Sequence, residues 1–278
     1  MSQVDEAFGT ARAEGRSALI GYLPAGFPSY DGCVAALHAM VDAGVDLVEV
    51  GLPYSDPVMD GPTIQAAAVA SLAGGTRTVD VLRTVEAVSS RVPTVVMSYW
   101  NPVERYRVAR FAHDLAAAGG SGLITPDLVP DEAAEWVAAS DEHGLDRIFL
   151  VSPSSTDERV AMTSQACRGF VYATSVMGVT GARELSSNRA PALVERVRTV
   201  SALPVGVGLG VSNGAQAAEV AAFADGVIVG SAFVRCLLDA DDPGAGLSAV
   251  AALAGDLAGG VRRAGSGSPR ELRAPSEG

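Results

Sequence analysis

Short apolar or β-branched runs recur along the chain at residues 18–22 (ALIGY), 47–51 (LVEVG), 94–98 (TVVMS), 122–126 (GLITP), 147–151 (RIFLV), 169–173 (GFVYA), 204–208 (PVGVG) and 226–230 (GVIVG). Between them lie Ala-rich segments such as 30–46 and 130–146, whose apolar residues fall near a 3.6-residue period and which contain a glycine suited to a helix C-terminus. Strands that alternate with helices pair in parallel through helical crossovers. Eight such units within 278 residues predict an α/β chain folded as a single (β/α)8 TIM barrel over residues 1–264. A doubly wound open sheet is the competing topology, but no Gly-x-Gly-x-x-Gly follows the first run and composition does not shift between the two halves. The longest gaps follow the second and sixth runs, so extended loops with inserted functional structure are expected there. The polar, turn-rich stretch 265–278 is expected to be a disordered tail.

Composition narrows the function classes. A hydrophobic content of 48% with 31 glycines and 15 prolines fits a globular protein with a large core and many tight turns. A net charge of −12 argues against nucleic acid or an anionic membrane as the main partner. The first residues carry neither the basic segment nor the apolar core of a signal peptide, and no apolar run approaches the ~20 residues of a bilayer span. Cys33, Cys167 and Cys236 are odd in number and widely spaced, which suits reduced, buried thiols in a cytoplasm better than a disulfide framework, so a cytoplasmic location is expected. His38, His113 and His143 form no cluster in sequence, and no metal-ligand spacing is present. All 20 basic residues are arginine; without lysine, Schiff-base chemistry is closed to this chain.

Two acids stand out. Glu49 interrupts an apolar strand, and because strand residues alternate faces, Leu47 and Glu49 point into the barrel if Val48 and Val50 face the helices. Glu49 then lies near the C-terminal end of its strand, the end where barrels keep their chemistry, and burial there should raise its pKa towards that of a general acid. The bland alternative is a buried ion pair, for which Arg147 is the chief strand candidate, at the opposite end of the barrel. Asp60 follows in the Gly- and Pro-rich loop DPVMDGP; turn capping would explain it alone, but a loop after a strand bearing an inward Glu can carry a second catalytic acid. Glycine clusters after the sixth, seventh and eighth strands, GVTGAR (178–183), GVGLGVS (206–212) and VGSAFVRCL (229–237), together meet the needs of a phosphate cradle built from backbone N–H groups and a helix N-terminus, with Ser231 adding a hydroxyl.

The stretch EVGLPYSDPVMDGPTIQ, with GVTGAR and VGVGLGVS in order behind it, resembles the alpha subunit of tryptophan synthase over nearly the whole chain. YLPAGFP, SYWNP and LITPDLVPDEA look like the actinobacterial branch. The resemblance implies retro-aldol cleavage of indole-3-glycerol phosphate to indole and glyceraldehyde 3-phosphate, with indole passed to a beta subunit that holds pyridoxal phosphate in an αββα complex. It implies no cofactor and no metal in this chain. Glu49 is expected as the general acid–base and Asp60 as the second carboxylate. Tyr172 should close over the substrate, Thr180 should help hold Asp60, and Gly181, Gly210, Gly230 and Ser231 should contact phosphate. Tyr22, Ile64, Ile124 and Leu209 are expected to wall the indole pocket, and the loop bearing Asp56 and Pro57 to face the partner. Two departures stand out: Arg107 occupies a position where many relatives have glycine, which implies a rearranged start of the following helix if that glycine needs φ > 0, and Met177 replaces a polar residue of some relatives. A stand-alone indole-releasing lyase and a regulatory subunit that activates the beta chain are the alternatives. Lysine-dependent phosphate-binding barrels are disfavoured.

Overall fold

The computed structural model describes residues 1–174 and 182–265 and shows a closed barrel of parallel strands in chain order. The strands are β1 (Ala18–Pro24), β2 (Leu47–Gly51), β3 (Thr94–Met97), β4 (Gly122–Thr125), β5 (Asp146–Val151), β6 (Val171–Thr174), β7 (Val205–Gly208) and β8 (Gly226–Val229). Closure is made by β8 pairing with β1, Ile228 opposite Ile20. Each expected strand is present within a residue or two of its expected ends.

Strand alternation separates two cores. Val48, Val50, Leu123 and Phe149 face outward and pack with the helices. Ala18, Ile20, Leu47, Val95, Ile124, Ile148, Phe170 and Ile228 face inward and fill the barrel. Helix α1 (Gln3–Ala13) plugs its N-terminal end with Val4, Phe8 and Ala11, and the Phe8 and Phe170 rings lie 5.4 Å apart. Gly226 shares the inward face with Ile228, and glycine fits there because a side chain would strike Phe8, with Cε1 2.9 Å from the Cβ position.

Helix α2 (Tyr30–Asp42) is shorter than the 30–46 pattern because Gly44 turns the chain at φ 109°. The 130–146 pattern splits into a 3-10 turn at Pro130–Glu132 and a helix at Ala134–His143, ended by Gly144 at φ 67°. The long connection after β2 holds an irregular loop, residues 52–61, then α3 (Pro62–Ala73) and α4 (Thr78–Ser89); α5 (Trp100–Tyr106), α6 (Val108–Ala117), α7 (Ala134–His143) and α8 (Asp157–Ala166) follow along the chain. The connection after β6 lies partly outside the described residues, which resume with α9 at Ala182–Arg198; of the expected tail at 265–278, Gly265 ends the last helix and residues 266–278 lie outside the described residues.

Arg107 corrects an expectation. The backbone is not rearranged: Arg107 itself takes φ 79°, ψ 120° between helices Trp100–Tyr106 and Val108–Ala117. It therefore keeps a glycine-like conformation that an L side chain rarely adopts.

Helix Pro243–Gly265 closes the chain against helices Tyr30–Asp42, Gly214–Ala221 and Ser231–Leu238. It has the length and composition of a bilayer span, contrary to the sequence reading, but Val250, Ala254, Leu257, Ala258 and Val261 are buried in the outer core. Cys33 and Cys167 are buried and Cys236 half-buried, all as free thiols. His113 and His143, unconnected in sequence, meet edge to face at 5.5 Å.

Candidate active site

Glu49 occupies the inward face of β2, in register with Tyr22 on β1 and Val95 on β3. It is 1% exposed, and among the described residues neither carboxyl oxygen has a hydrogen-bond partner. Burial alone pushes its pKa from 4.5 up to about 8, because no cation or donor offsets the loss of water. Arg147 offers no ion pair to Glu49; it bonds Asp141 at 2.5 Å, Ser140 and the carbonyl of Ala166 on the outer surface. A carboxyl held neutral at pH 7 can donate a proton, and after donation it is a strong base in a dry pocket.

Asp60 is half-buried in the loop that follows β2. The Tyr99 hydroxyl donates to its Oδ1 at 3.2 Å and accepts the Met59 N–H at 3.0 Å, while Gln65 Nε2 donates to the Asp60 carbonyl at 2.7 Å. Burial raises the Asp60 pKa and the bond from Tyr99 lowers it, burial being the larger effect. Tyr99 also packs against Tyr54, with ring centroids 5.3 Å apart. Behind it, the Asp127 carboxylate accepts the Trp100 N–H at 2.9 Å, which ties the loop after β4 to the helix after β3. Asp56 is exposed and accepts from Ser55, Pro57 is half-buried, and Val58 and Met59 project from the same loop, 77% and 49% exposed.

Two tyrosines complete the polar mouth. A side chain on Gly51 would collide with the Tyr22 hydroxyl, and one on Gly208 would meet the Tyr172 hydroxyl at 2.7 Å. Their rings therefore cross neighbouring strands at the mouth of the barrel. Burial raises both phenol pKa values well above normal; nearby acidic charges raise them further, Asp60 and Glu49 at Tyr22, Glu49 then Asp60 at Tyr172. Four of the expected site groups thus converge: Glu49, Asp60, Tyr22 and Tyr172.

The glycine segments after β7 and β8 meet at two helix starts that differ. Asn213 caps α10 (Gly214–Ala221) with its own side chain, accepting from the Gln216 N–H at 3.0 Å. The start of α11 (Ser231–Leu238) has Gly230 at its N-cap and no side-chain cap, which leaves its first N–H groups for an anion. Gly210, at φ 64° in the loop after β7, takes a conformation that suits glycine. Thr180, Gly181 and Met177 lie outside the described residues.

Ile124 is fully buried among the inward residues, where it belongs to the floor; Ile64 and Leu209 are half-buried and pack on the outer core. Residues missed in the sequence are Tyr99, Met97 and Leu150. The last two follow Val95 and Ile148 by two positions and are partly buried against the inner core, so the alternation that located Glu49 could have found them. No group of three or more metal-ligating side chains exists among the described residues.

A family model described as tryptophan synthase alpha chain matches residues 8–262. A tryptophan synthase alpha chain of Salinispora arenicola is 65% identical over 94% of this chain and 98% of its own length. That of Mycobacterium tuberculosis is 60% identical over 94% of this chain and 95% of its own. A crystal structure of M. tuberculosis tryptophan synthase, open form with BRD0059 bound, superposes with a TM-score of 0.87 at 57% identity, covering 94% of this chain and 99% of that one. Tryptophan synthase subunit alpha from Legionella pneumophila gives a TM-score of 0.86 at 32% identity over 95% and 99% of the two chains.

Proposed function

The chain belongs to the tryptophan synthase alpha chain family, the lyases that cleave indole-3-glycerol phosphate in tryptophan biosynthesis, and we propose that Glu49 and Asp60 are the carboxylates that carry the cleavage here. The observation that carries this reading is the Glu49 carboxyl, buried on the inward face of β2 with both oxygens unpartnered among the described residues. The protonated Glu49 gives its proton to indole C3, making an indoleninium. Asp60 accepts a hydrogen bond from the ring N–H and stabilises the positive charge that develops there. Glu49, now a carboxylate, removes the proton from the hydroxyl on the adjoining chain carbon. The carbon–carbon bond breaks, its electron pair restores the aromatic ring, and indole leaves beside the aldehyde. Glu49 ends protonated as it began.

Phosphate binding is assigned to Gly210, Gly230 and Ser231, supported by the uncapped start of α11, together with Gly181. Tyr172 covers the substrate, Thr180 holds Asp60, and Ile124, Met97 and Leu150 form the floor on which the indole ring rests, bordered by Ile64 and Leu209. The two-carboxylate reaction needs no cofactor or metal from this chain. A beta chain carrying pyridoxal phosphate is the partner in an αββα assembly, and the exposed loop with Asp56, Pro57, Val58 and Met59 is the contact assigned to it. A cytoplasmic location goes with the free thiols and this biosynthetic role.

The test is indole release from indole-3-glycerol phosphate by the wild type, Glu49→Gln and Asp60→Asn, each with and without a tryptophan synthase beta chain. Partner-stimulated activity lost in both variants supports the reading. A wild type inert in both conditions would favour a regulatory subunit, and full activity without the partner a stand-alone lyase.

A further inference from the structure

Tyr22 is placed to do more than line an aromatic pocket. Its neighbours Ala18 and Ile20 on β1 point into the barrel, and Tyr22 shares that face in register with Glu49. At one edge of the side chain, Cδ1 lies 3.1 Å from where a Gly230 side chain would begin; at the other, Cε2 lies 2.7 Å from the corresponding position on Gly51, against which the hydroxyl also rests. Gly230 heads the uncapped helix α11, and Gly51 lies two residues beyond Glu49 on the same strand face. The ring therefore spans from the proposed phosphate cradle to the proposed acid–base. The substrate's three-carbon chain must bridge the same two points, because it joins a phosphate to the ring carbon that Glu49 protonates.

Tyr22 is half-buried, and among the described residues its hydroxyl has no hydrogen-bond partner. Burial and the neighbouring carboxylates keep the phenol protonated at any working pH, so it is a donor. An apolar wall would not need this hydroxyl, which has its donor to offer to a bound substrate.

We propose that the Tyr22 hydroxyl donates a hydrogen bond to the substrate oxygen that becomes the aldehyde carbonyl, holding that oxygen beside Glu49. Tyr22 keeps its proton throughout; the hydroxyl proton of the substrate goes to Glu49, and the phenol stabilises the charge on oxygen as that proton leaves. This inference rests on Glu49 being the acid–base.

The experiment compares wild type, Tyr22→Phe and Glu49→Gln, each with a tryptophan synthase beta chain, in indole-3-glycerol phosphate cleavage. Phenylalanine keeps the ring between Gly51 and Gly230 and removes only the hydroxyl. Tyr22→Phe should lower kcat/KM about 100- to 1,000-fold, the range expected on losing a donor to developing charge. Binding of a substrate analogue without chain hydroxyls should stay within about twofold of wild type, which a general loss of packing would not allow. Tyr22→Phe with wild-type kcat/KM beside an inactive Glu49→Gln would overturn the role of Tyr22 alone. A fully active Glu49→Gln would overturn the underlying assignment as well.

Discussion

Replacing Glu49 with glutamine removes one titrating group from a site where folding holds it neutral. In the unfolded chain Glu49 ionises at its ordinary value of 4.5, and in the folded chain only at about 8. The raised value sets the sign: the contribution to stability is fully present below pH 4.5 and is lost as pH rises through about 8. At about 1.4 kcal/mol per pH unit, wild type should lose about 3–4 kcal/mol between about pH 5 and pH 8 through this group. Glu49→Gln does not titrate there and shares every other ionisable group. The difference in unfolding free energy, variant minus wild type, should therefore grow by that amount across the interval. The unpartnered amide lowers the variant by a nearly constant amount and leaves the slope intact. Urea denaturation of both proteins at the two pH values gives the difference directly. A difference that does not change with pH would refute the claim that Glu49 is neutral because it is buried.

Two further predictions test other parts of the molecule. Arg107→Gly should stabilise the chain by about 1 kcal/mol, since relief of a strained positive φ, worth about 1–3 kcal/mol, exceeds the extra backbone freedom glycine has when unfolded; urea midpoints would show it, and an unchanged or lowered midpoint would count against strain at this residue. Tyr99→Phe should lower kcat/KM about tenfold and move the acid limb of the pH profile upward, because Asp60 loses the donor that offsets part of its burial; an unmoved limb would mean that Tyr99 does not set the state of Asp60.

The barrel was legible because period-two and period-3.6 patterns alternate along the chain, and each inward residue of a parallel strand follows the last by two. That rule placed Glu49 correctly, since a single acid among Leu47, Val48 and Val50 has only one face to occupy. It does not reach contacts between loops. The bond from Tyr99 to Asp60 joins residues 39 apart in sequence, and the meeting of His113 with His143 depends on how two helices pack around the barrel. Nor does local pattern reveal whether a backbone moves or bears strain. At Arg107 the flanking helices are fixed by Val103, Val108 and Phe111 in the outer core, so the residue accepts the positive φ and the helices stay in place. The 3-10 turn at Pro130–Glu132 was hidden for a similar reason, as the apolar period there is shared by two short pieces.

The central claim is that burial arms Glu49 as the acid that starts the cleavage, and the pH dependence of kcat/KM for indole-3-glycerol phosphate tests it most directly. Free enzyme with Glu49 protonated is the competent form, so activity should hold through neutrality and fall with an apparent pKa of about 8, the value burial sets. A profile that stays flat well above that pH, or that rises through it, would contradict the account.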